Sequence, residues 1–262
     1  MEMVILGSGT SHGVPVIGCD CPVCTSKDPY DNRMRTSALL RFDDGKAILI
    51  DAGPEFRIQA LRAHIKGLDA LLVTHAHADH IHGLDDIRIF TRHSGIPVYG
   101  NKNAITDITN RFDYVFTPTN EGGGKPQLEL ITVDAQGGSK EIIVAGKKIM
   151  PIPLMHGSLP ILGWRCGDTA YLTDCNGIPE TSYPLLEGCT NLVIDALRFR
   201  PHSTHFSFNE ALTQIDRIRP ENAWFIHICH DFSHSGIQKW LCENAPGKKI
   251  EPAYDGLRIT IR

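Results

Sequence analysis

The chain has 262 residues, of which 42% are hydrophobic and 21% are charged. That composition is typical of a soluble globular protein with a sizeable core, and the net charge of -4 argues against broad nucleic-acid binding, which needs a basic stripe. No apolar run reaches the roughly 20 residues of a membrane span. No basic and then apolar segment follows Met1, so we expect a cytoplasmic protein without membrane contact.

A cysteine cluster follows the first predicted strand (residues 3–6) and a glycine-rich loop. Cys19, Cys21 and Cys24 offer three thiolates within six residues, which suits a tetrahedral zinc that takes its fourth ligand from elsewhere. The alternative is a set of ordinary buried thiols. The other cysteines are scattered, and in a thiol-reducing compartment a cluster indicates metal binding rather than disulfides. His12, in the glycine-rich loop, either reaches an active site or caps the turn.

The next predicted elements lead to the central motif of the chain. In order they are strands over 37–41 and 47–51, a helix over 54–64, a strand over 68–74, a helix over 80–92 and a strand over 97–99. Asp51 follows its strand directly and is a candidate for orienting the histidines of the central motif.

The strand over 68–74 ends in three imidazoles and a carboxylate within six residues, namely His75, His77, Asp79 and His80. An unpaired buried polar group costs about 1–3 kcal/mol, so rings at this position must be hydrogen-bonded or metallated. His75 and His77 are two apart on extended backbone and point the same way. Asp79 and His80, where the chain turns into a helix, aim at a second point nearby. This geometry suits two metal ions at one mouth; the alternative is a solvated histidine-rich loop.

Strands outnumber helices in the remainder of the chain. The predicted elements are a helix over 104–112, a loop over 117–126, strands over 128–133, 141–153, 170–174 and 192–195, a helix over 207–219, a strand over 223–227, a helix over 236–243, and strands over 251–253 and 257–261. Glycines at 137–138 and 146 mark turns. The segment 101–126 receives no role. We predict one α/β domain over 1–262, with two packed mixed sheets and helices outside, in a four-layer αββα arrangement.

Polar residues recur at the predicted strand ends: His75, His77, His156, Asp174 and His227. Strands lying side by side would bring these ends to one rim. One ion would then take His75, His77 and His156. The other would take Asp79, His80 and His227. Asp174 is the natural bridge, because its two oxygens can bind one ion each. Alone, His156 or His227 would more often be a hydrogen-bonded core histidine.

The spacing His75-x-His77-x-Asp79-His80, with the later His156, Asp174 and His227, resembles the metallo-β-lactamase superfamily. The cysteine cluster after a glycine-rich first strand resembles a narrower branch, the PhnP-type phosphodiesterases of phosphonate metabolism, which open 5-phosphoribosyl 1,2-cyclic phosphate. A relative in pyrroloquinoline quinone biosynthesis is similar too. The resemblance implies a structural zinc held by Cys19, Cys21, Cys24 and His230.

The same resemblance implies a metal-dependent phosphodiesterase that acts on a small or cyclic phosphodiester, with two manganese or zinc ions at its catalytic site. A metal-bridging hydroxide would attack phosphorus. His205 would be the general acid, with His202 as the runner-up, and Asp79 would bind a metal and take a proton from the water. The resemblance also implies a homodimer.

Three alternatives remain open from the sequence. The same ligands would serve a thioester, lactone or lactam hydrolase, although a bridging Asp174 argues against true lactamases. A nuclease of the tRNA 3′-processing type would usually carry a basic arm or an added domain, and no Lys/Arg-rich insertion is present. A non-enzymatic zinc-binding module would not need the complete dinuclear ligand set.

Overall fold

The computed structural model describes residues 1–91, 94–118, 124–135 and 140–262. Its strands, in chain order, are β1 (Glu2–Gly7), β2 (Ser37–Arg41), β3 (Ala47–Ile50), β4 (Ala70–Leu72), β5 (Ile96–Gly100), β6 (Leu128–Thr132), β7 (Ile142–Val144), β8 (Lys147–His156), β9 (Leu159–Cys166), β10 (Thr169–Leu172), β11 (Asn191–Asp195), β12 (Asn222–Ile226), β13 (Lys249–Pro252) and β14 (Arg258–Thr260). Its α-helices are α1 (Phe56–Arg62), α2 (Ala78–Ile81), α3 (Lys102–Arg111), α4 (Asp113–Phe116), α5 (Tyr183–Leu186), α6 (Phe208–Ile218) and α7 (His234–Asn244).

Two seven-stranded sheets form the centre of the described structure, with strand orders β14-β1-β2-β3-β4-β5-β6 and β13-β12-β11-β10-β9-β8-β7. The strands from β3 to β6 and from β10 to β13 run parallel, and the other pairings are antiparallel. One apolar core lies between the two sheets. Each sheet also forms a further apolar core with the helices on its outer face. The predicted four-layer αββα fold is therefore confirmed.

The strands are continuous apolar runs in the sequence because both faces of each sheet are covered. On β1, Met3 and Ile5 belong to the core between the sheets, whereas Val4 and Leu6 belong to the core under the helices. Each buried side chain of this size stabilises the fold by about 1.5–3 kcal/mol, and strands covered on both faces lose the polar half of the alternating pattern. No helix in the described ranges has the length and apolarity needed to cross a membrane.

The sequence prediction missed the eight-residue strand β9. Pro160 and Gly163 lie within it, and both residue types argue against a strand interior. In the structure β9 pairs with β8 and β10, and a Cβ at Gly163 would lie 2.7 Å from the side chain of Leu172. The glycine is there because neighbouring side chains fill the space that its own side chain would need.

The helix predicted over 80–92 is also different in the structure. α2 ends at Ile81, and Leu84–Phe90 forms a 3-10 helix instead. A Cβ at Gly83 would lie 2.1 Å from the carbonyl oxygen of Gly53, so the chain bends where two glycines let the backbones touch. Arg92 of that prediction, the turn at 137–138 and part of the 117–126 loop lie outside the described residues.

Asp255 links the last turn of the chain to the start of the first sheet. Its carboxylate accepts hydrogen bonds from the backbone N–H and hydroxyl of Ser8, at 2.9 and 2.8 Å, and from the Met34 N–H at 2.9 Å. The side chain is only 4% exposed. Burial raises the pKa of Asp255 to about 6, above the usual value of 3.8 for an aspartate.

A carboxyl group whose pKa rises on folding takes up a proton on folding at a pH between the two values, so its contribution to stability falls as the pH rises. We expect the stability advantage of the wild type over Asp255→Asn to shrink between pH 4 and pH 7, by up to about 3 kcal/mol. Urea unfolding at each pH, with metal in fixed excess, measures the difference. The exposed Glu243→Gln variant should show a constant difference, and an advantage of the wild type that grows with pH would contradict the assignment.

Candidate metal centre

The side chains of the predicted centre follow strands that end at one edge of the molecule. His75 and His77 follow β4, Asp174 follows β10, and His227 directly follows β12. Asp174 and His227 have left-handed backbone φ values of 59° and 62°, and Asp51, directly after β3, has φ 58°. A non-glycine residue in this region costs about 1–2 kcal/mol, and such strain clusters at functional sites.

The carboxylate of Asp174 lies at the middle of the cluster. Its Oδ2 is 2.6 Å from Nε2 of His80 and 3.4 Å from Nε2 of His75. Its Oδ1 is 3.7 Å from Nε2 of His227. Asp174 therefore lies between residues assigned to the two ions, with His75 from one set and His80 and His227 from the other.

The structure brings all seven residues of the predicted dinuclear set together. Ligand atoms that lie within 4.8 Å of one another form the groups His75, His77 and His156; His75, His80 and Asp174; Asp79, Asp174 and His227; and His156, Asp174 and His205. The first group is the set that we assigned to one ion. The third contains two members of the other set and the bridge, and Nε2 of His80 lies 3.3 Å from Oδ2 of Asp79. His77 is exposed, so the cluster opens to solvent on that side.

Outer hydrogen bonds leave Nε2 of four histidines available to a metal. Nδ1 of His80 donates to Asp51 at 2.7 Å, and Nδ1 of His156 donates to the backbone carbonyl of Asp174 at 2.8 Å. Thr74 and Thr36 donate their hydroxyl protons to Asp51 and to the Gly9 carbonyl. Their oxygens can therefore accept from Nδ1 of His75 at 3.1 Å and from Nδ1 of His227 at 3.0 Å. Such partners fix the tautomer and orientation of metal-binding histidines.

The charges of the site also fit divalent metal ions. Burial lowers the pKa of His227 to about 3 and that of His75 well below its usual range. Burial alone would raise the pKa of Asp174, but the neighbouring imidazoles lower it well below its usual range. Neutral His75 and His227 beside an ionised Asp174 are the forms in which these groups bind metals.

His80 differs: burial disfavours its charged ring, but the carboxylates of Asp79 and Asp51 outweigh burial and raise its pKa well above the usual range, so a metal ion bound there would displace its proton. Nε2 of His80 and Oδ1 of Asp174 are buried, and their nearest polar contacts, at 2.6 Å to Asp174 and 3.1 Å to His205, lie within the cluster itself.

His205, the predicted general acid, lies beside this cluster. Its Nδ1 is 2.9 Å from Oδ2 of the buried Asp195 and 3.1 Å from Oδ1 of Asp174. Burial disfavours the charged imidazole, but the carboxylate of Asp195 outweighs it and raises the pKa of His205. The runner-up, His202, has its ring 5.0 Å from that of His205, and it contacts Thr204 rather than a carboxylate.

The cysteine cluster and His230 meet as the resemblance implies. The Sγ atoms of Cys19, Cys21 and Cys24 each lie 3.4 Å from Nδ1 of His230, and these four residues form one group of candidate metal ligands. The backbone N–H of Cys24 and the His230 ring lower the pKa of Cys21 to about 6, which favours the thiolate that zinc needs.

The remaining sequence candidates lie apart from these contacts. His12 is exposed, without a described contact to the cluster. In the segment 101–126, Arg111 donates to the backbone carbonyl of Ala76 at 2.5 Å, and Asn101 caps α3. The described part of the segment therefore contacts the loop that carries His75 and His77, through the bond from Arg111 to Ala76.

Sequence reasoning missed three residues of the site: Thr36, Thr74 and Asp195. Asp195 ends an apolar strand, as Asp174 nearly does, and that position was a usable signal. Thr36 and Thr74 carry no such signal, because threonine is common in and beside strands.

Comparison with known proteins agrees with this site. A family model described as the beta-lactamase superfamily domain matches residues 46–228. A crystal structure of a diphosphatase from the PhnP family has 40% sequence identity and a TM-score of 0.86, covering 98% of this chain and 96% of that chain. Zn(2+)-bound PqqB from Methylobacterium extorquens, with 17% identity, a TM-score of 0.78 and full coverage of both chains, shows the shared fold alone.

A curated relative covers the chain completely but is longer. The octanoyltransferase of Porphyromonas gingivalis (strain ATCC BAA-308 / W83) is 41% identical over 262 residues, which are 100% of this chain and 52% of that protein. The chain thus spans about half the length of that relative.

The fold, the histidine–aspartate cluster and the family match define a metal-dependent hydrolase of the metallo-β-lactamase superfamily. Its identity of 40% with the PhnP-family diphosphatase extends over nearly the whole of both chains. The chain belongs to the PhnP family.

Proposed function

We propose that the protein hydrolyses a small or cyclic phosphodiester of the phosphoribosyl 1,2-cyclic phosphate type. The observation that carries this proposal is the position of His205, whose Nδ1 lies 3.1 Å from the central carboxylate of Asp174 and 2.9 Å from Asp195. A histidine held in this way beside a two-metal cluster can protonate the leaving oxygen of a phosphoester.

In this proposal the seven metal-binding residues and the two aspartate–histidine pairs, Asp195–His205 and Asp51–His80, have different roles. Two divalent ions, when bound, lower the pKa of a water and offset the charge on the phosphoryl oxygens. Asp79 would accept a proton from the attacking water. Asp195 holds Nδ1 of His205, so that Nε2 carries the proton to the leaving oxygen, and Asp51 does the same positioning for His80.

The donor types suggest the metals. Imidazole and carboxylate ligands accept manganese or zinc, whereas three thiolates with one imidazole favour zinc. We propose two Mn or Zn ions at the dinuclear site and one Zn at the cysteine site. The homodimer implied by the family resemblance is also a proposal, which the mass in solution tests.

A second candidate reaction is cleavage of a diphosphate bond. It is favoured by the PhnP-family relative, which is itself described as a diphosphatase. The octanoyltransferase name supports acyl transfer less well, because this chain corresponds to only 52% of that protein and its described residues form a centre suited to metal-assisted hydrolysis.

Turnover of two model substrates tests the proposed function. We expect the metal-loaded protein to hydrolyse bis(p-nitrophenyl) phosphate, to lose that activity on chelation and to regain it when Mn or Zn is returned. An acyl thioester of similar size should react more slowly by about tenfold or more, because its neutral carbonyl does not match a site built for phosphoryl charge. Release of p-nitrophenolate and of free thiol gives the two rates. Turnover of the thioester alone would refute the proposal.

A further inference from the structure

The end of helix α3 is held against the histidine motif. Phe112, directly after the helix, is 8% exposed, and it belongs with Ile108 and Ala76 to the apolar core between the first sheet and its helices. The Phe112 ring also lies 6.2 Å from the ring of His82, which directly follows α2. These contacts fix the last turn of α3 beside the loop that carries the first two histidines of the motif.

Arg111, the last residue of α3, reaches the backbone between two of the predicted ligands. Its Nη1 donates to the carbonyl oxygen of Ala76 at 2.5 Å, and Ala76 separates His75 from His77. Backbone bond lengths then place Nη1 no more than about 6.5 Å from Cα of His77. His77 is the exposed member of its ligand group, so the guanidinium lies at the side where the cluster opens to solvent.

The charge of Arg111 is only weakly balanced by the protein. In the described ranges its one ion pair is with Asp107, at 3.6 Å, and the two side chains are 42% and 49% exposed. That separation is too long for a hydrogen bond, and an exposed pair one helical turn apart contributes little. A guanidinium has five N–H donors, and among the described residues the bond to Ala76 leaves most of them free for a ligand.

A second arginine near the centre is neutralised by a carboxylate. A Cβ at Gly53 would clash with the carbonyl oxygen of Asp79 and would lie 3.8 Å from Cβ of Arg35, so Arg35 begins on the Asp79 side of the centre. Its guanidinium pairs with the carboxylate of Glu55. Arg111 has no such bonded carboxylate within the described part of the chain.

A row of imidazole rings leads from Arg111 to the general acid. The rings of His77 and His156 are 5.1 Å apart, and those of His156 and His205 are 5.0 Å apart. Arg111 lies near His77 at one end of this row, and His205 lies at the other end. A phosphodiester bound over the row would therefore have a cation beside it at the end opposite the general acid.

We infer that Arg111 binds a second phosphate group carried by the substrate, so that the cyclic phosphodiester of a phosphorylated sugar is favoured over the same ester of the free sugar. The inference rests on the proposed function, because it needs the scissile diester at the dinuclear site. A guanidinium matches two phosphate oxygens at once, and a cation at the mouth of a site raises the rate at which anions arrive. Arg111 thus determines specificity in addition to contacting the histidine loop.

Two substrates that differ by one phosphate test the inference. They are 5-phosphoribosyl 1,2-cyclic phosphate and ribosyl 1,2-cyclic phosphate, and phosphorus NMR follows the opening of either ring. The metal-loaded wild type should have the higher kcat/KM for the phosphorylated ester. Arg111→Met should lower the ratio of the two kcat/KM values about tenfold or more. Arg111→Lys, which keeps the charge without the planar fork, should lower the ratio less.

The matched control is Arg88→Met. The Arg88 side chain is 53% exposed and pairs with an aspartate one turn earlier, as that of Arg111 does, so its loss should leave the ratio unchanged. Calorimetry on the metal-loaded proteins gives a readout without turnover. Arg111→Met should bind ribose 1,5-bisphosphate about tenfold or more weakly than the wild type and should bind ribose 1-phosphate equally well.

The outcomes distinguish this inference from the proposed function. Equal losses on both esters in Arg111→Met would mean that Arg111 only supports the histidine loop, and they overturn the inference. Hydrolysis of bis(p-nitrophenyl) phosphate by a wild type that does not prefer the phosphorylated ester overturns the inference alone. Turnover of none of the three substrates overturns the proposed function. Metal content and Tm identify a misfolded Arg111→Met, and Arg111→Lys then carries the comparison.

Discussion

Replacing Asp174 should abolish hydrolysis and empty the dinuclear site. Its carboxylate lies between residues assigned to the two ions, 3.4 Å from His75 and 2.6 Å from His80, so we expect that no neighbouring side chain can take its place. Asp174→Asn keeps a residue that tolerates the left-handed backbone at φ 59° and removes only the charge. We expect kcat/KM to fall on the order of a thousandfold or more, and elemental analysis to show loss of the ions bound by the histidines.

A variant of the cysteine site should lose the other metal, the zinc, and keep the ions of the dinuclear site. Asp174→Asn should retain the zinc held by Cys19, Cys21, Cys24 and His230, because these ligands form a separate group. Cys21→Ser should lose that zinc and keep the dinuclear ions, whereas Cys242→Ser, which changes an exposed cysteine, should lose neither. Hydrolysis retained in Asp174→Asn would rule out the bridging role.

The second large effect is expected at His205, and it depends on the leaving group. A general acid contributes on the order of 10²–10⁴-fold, but only where the departing oxygen needs a proton. His205→Ala should therefore strongly reduce hydrolysis of an alkyl phosphodiester and reduce that of bis(p-nitrophenyl) phosphate much less, since p-nitrophenolate is a weak base. Steady-state rates on both substrates, at constant metal content, measure the difference.

Two further variants test whether His205 or His202 is the general acid. Asp195→Asn should show the same leaving-group dependence in weaker form, because Asp195 acts through the orientation and charge of His205. His202→Ala should not show it. If instead His202→Ala is selective for the alkyl substrate and His205→Ala is not, the two assignments exchange.

Local patterns in the sequence pointed to the residues of the cluster because most of them lie at or just after the end of a strand. The run that ends in His75, His77, Asp79 and His80 is legible without knowledge of the sheet order. His156, Asp174 and His227 needed the additional assumption that distant strands end at one rim, which the parallel strands on each side of the fold satisfy.

What remained hidden depends on contacts between segments. In the sequence, Gly163 argues against a strand. The structure shows why a glycine lies there: the Leu172 side chain occupies the space that a Cβ would need. The hydroxyls of Thr36 and Thr74 become tautomer-fixing groups only when the fold places them against His227 and His75.

The distribution of ligands between the two sheets has a consequence for the lifetime of the protein. The histidine motif follows β4 in one sheet, whereas Asp174 and His227 follow β10 and β12 in the other. An ion held by residues of both sets would link the two sheets across the core between them. Free metal at a hundred times the dissociation constant would add about 2.7 kcal/mol of stability, so protease resistance should depend on the supply of metal, as activity does.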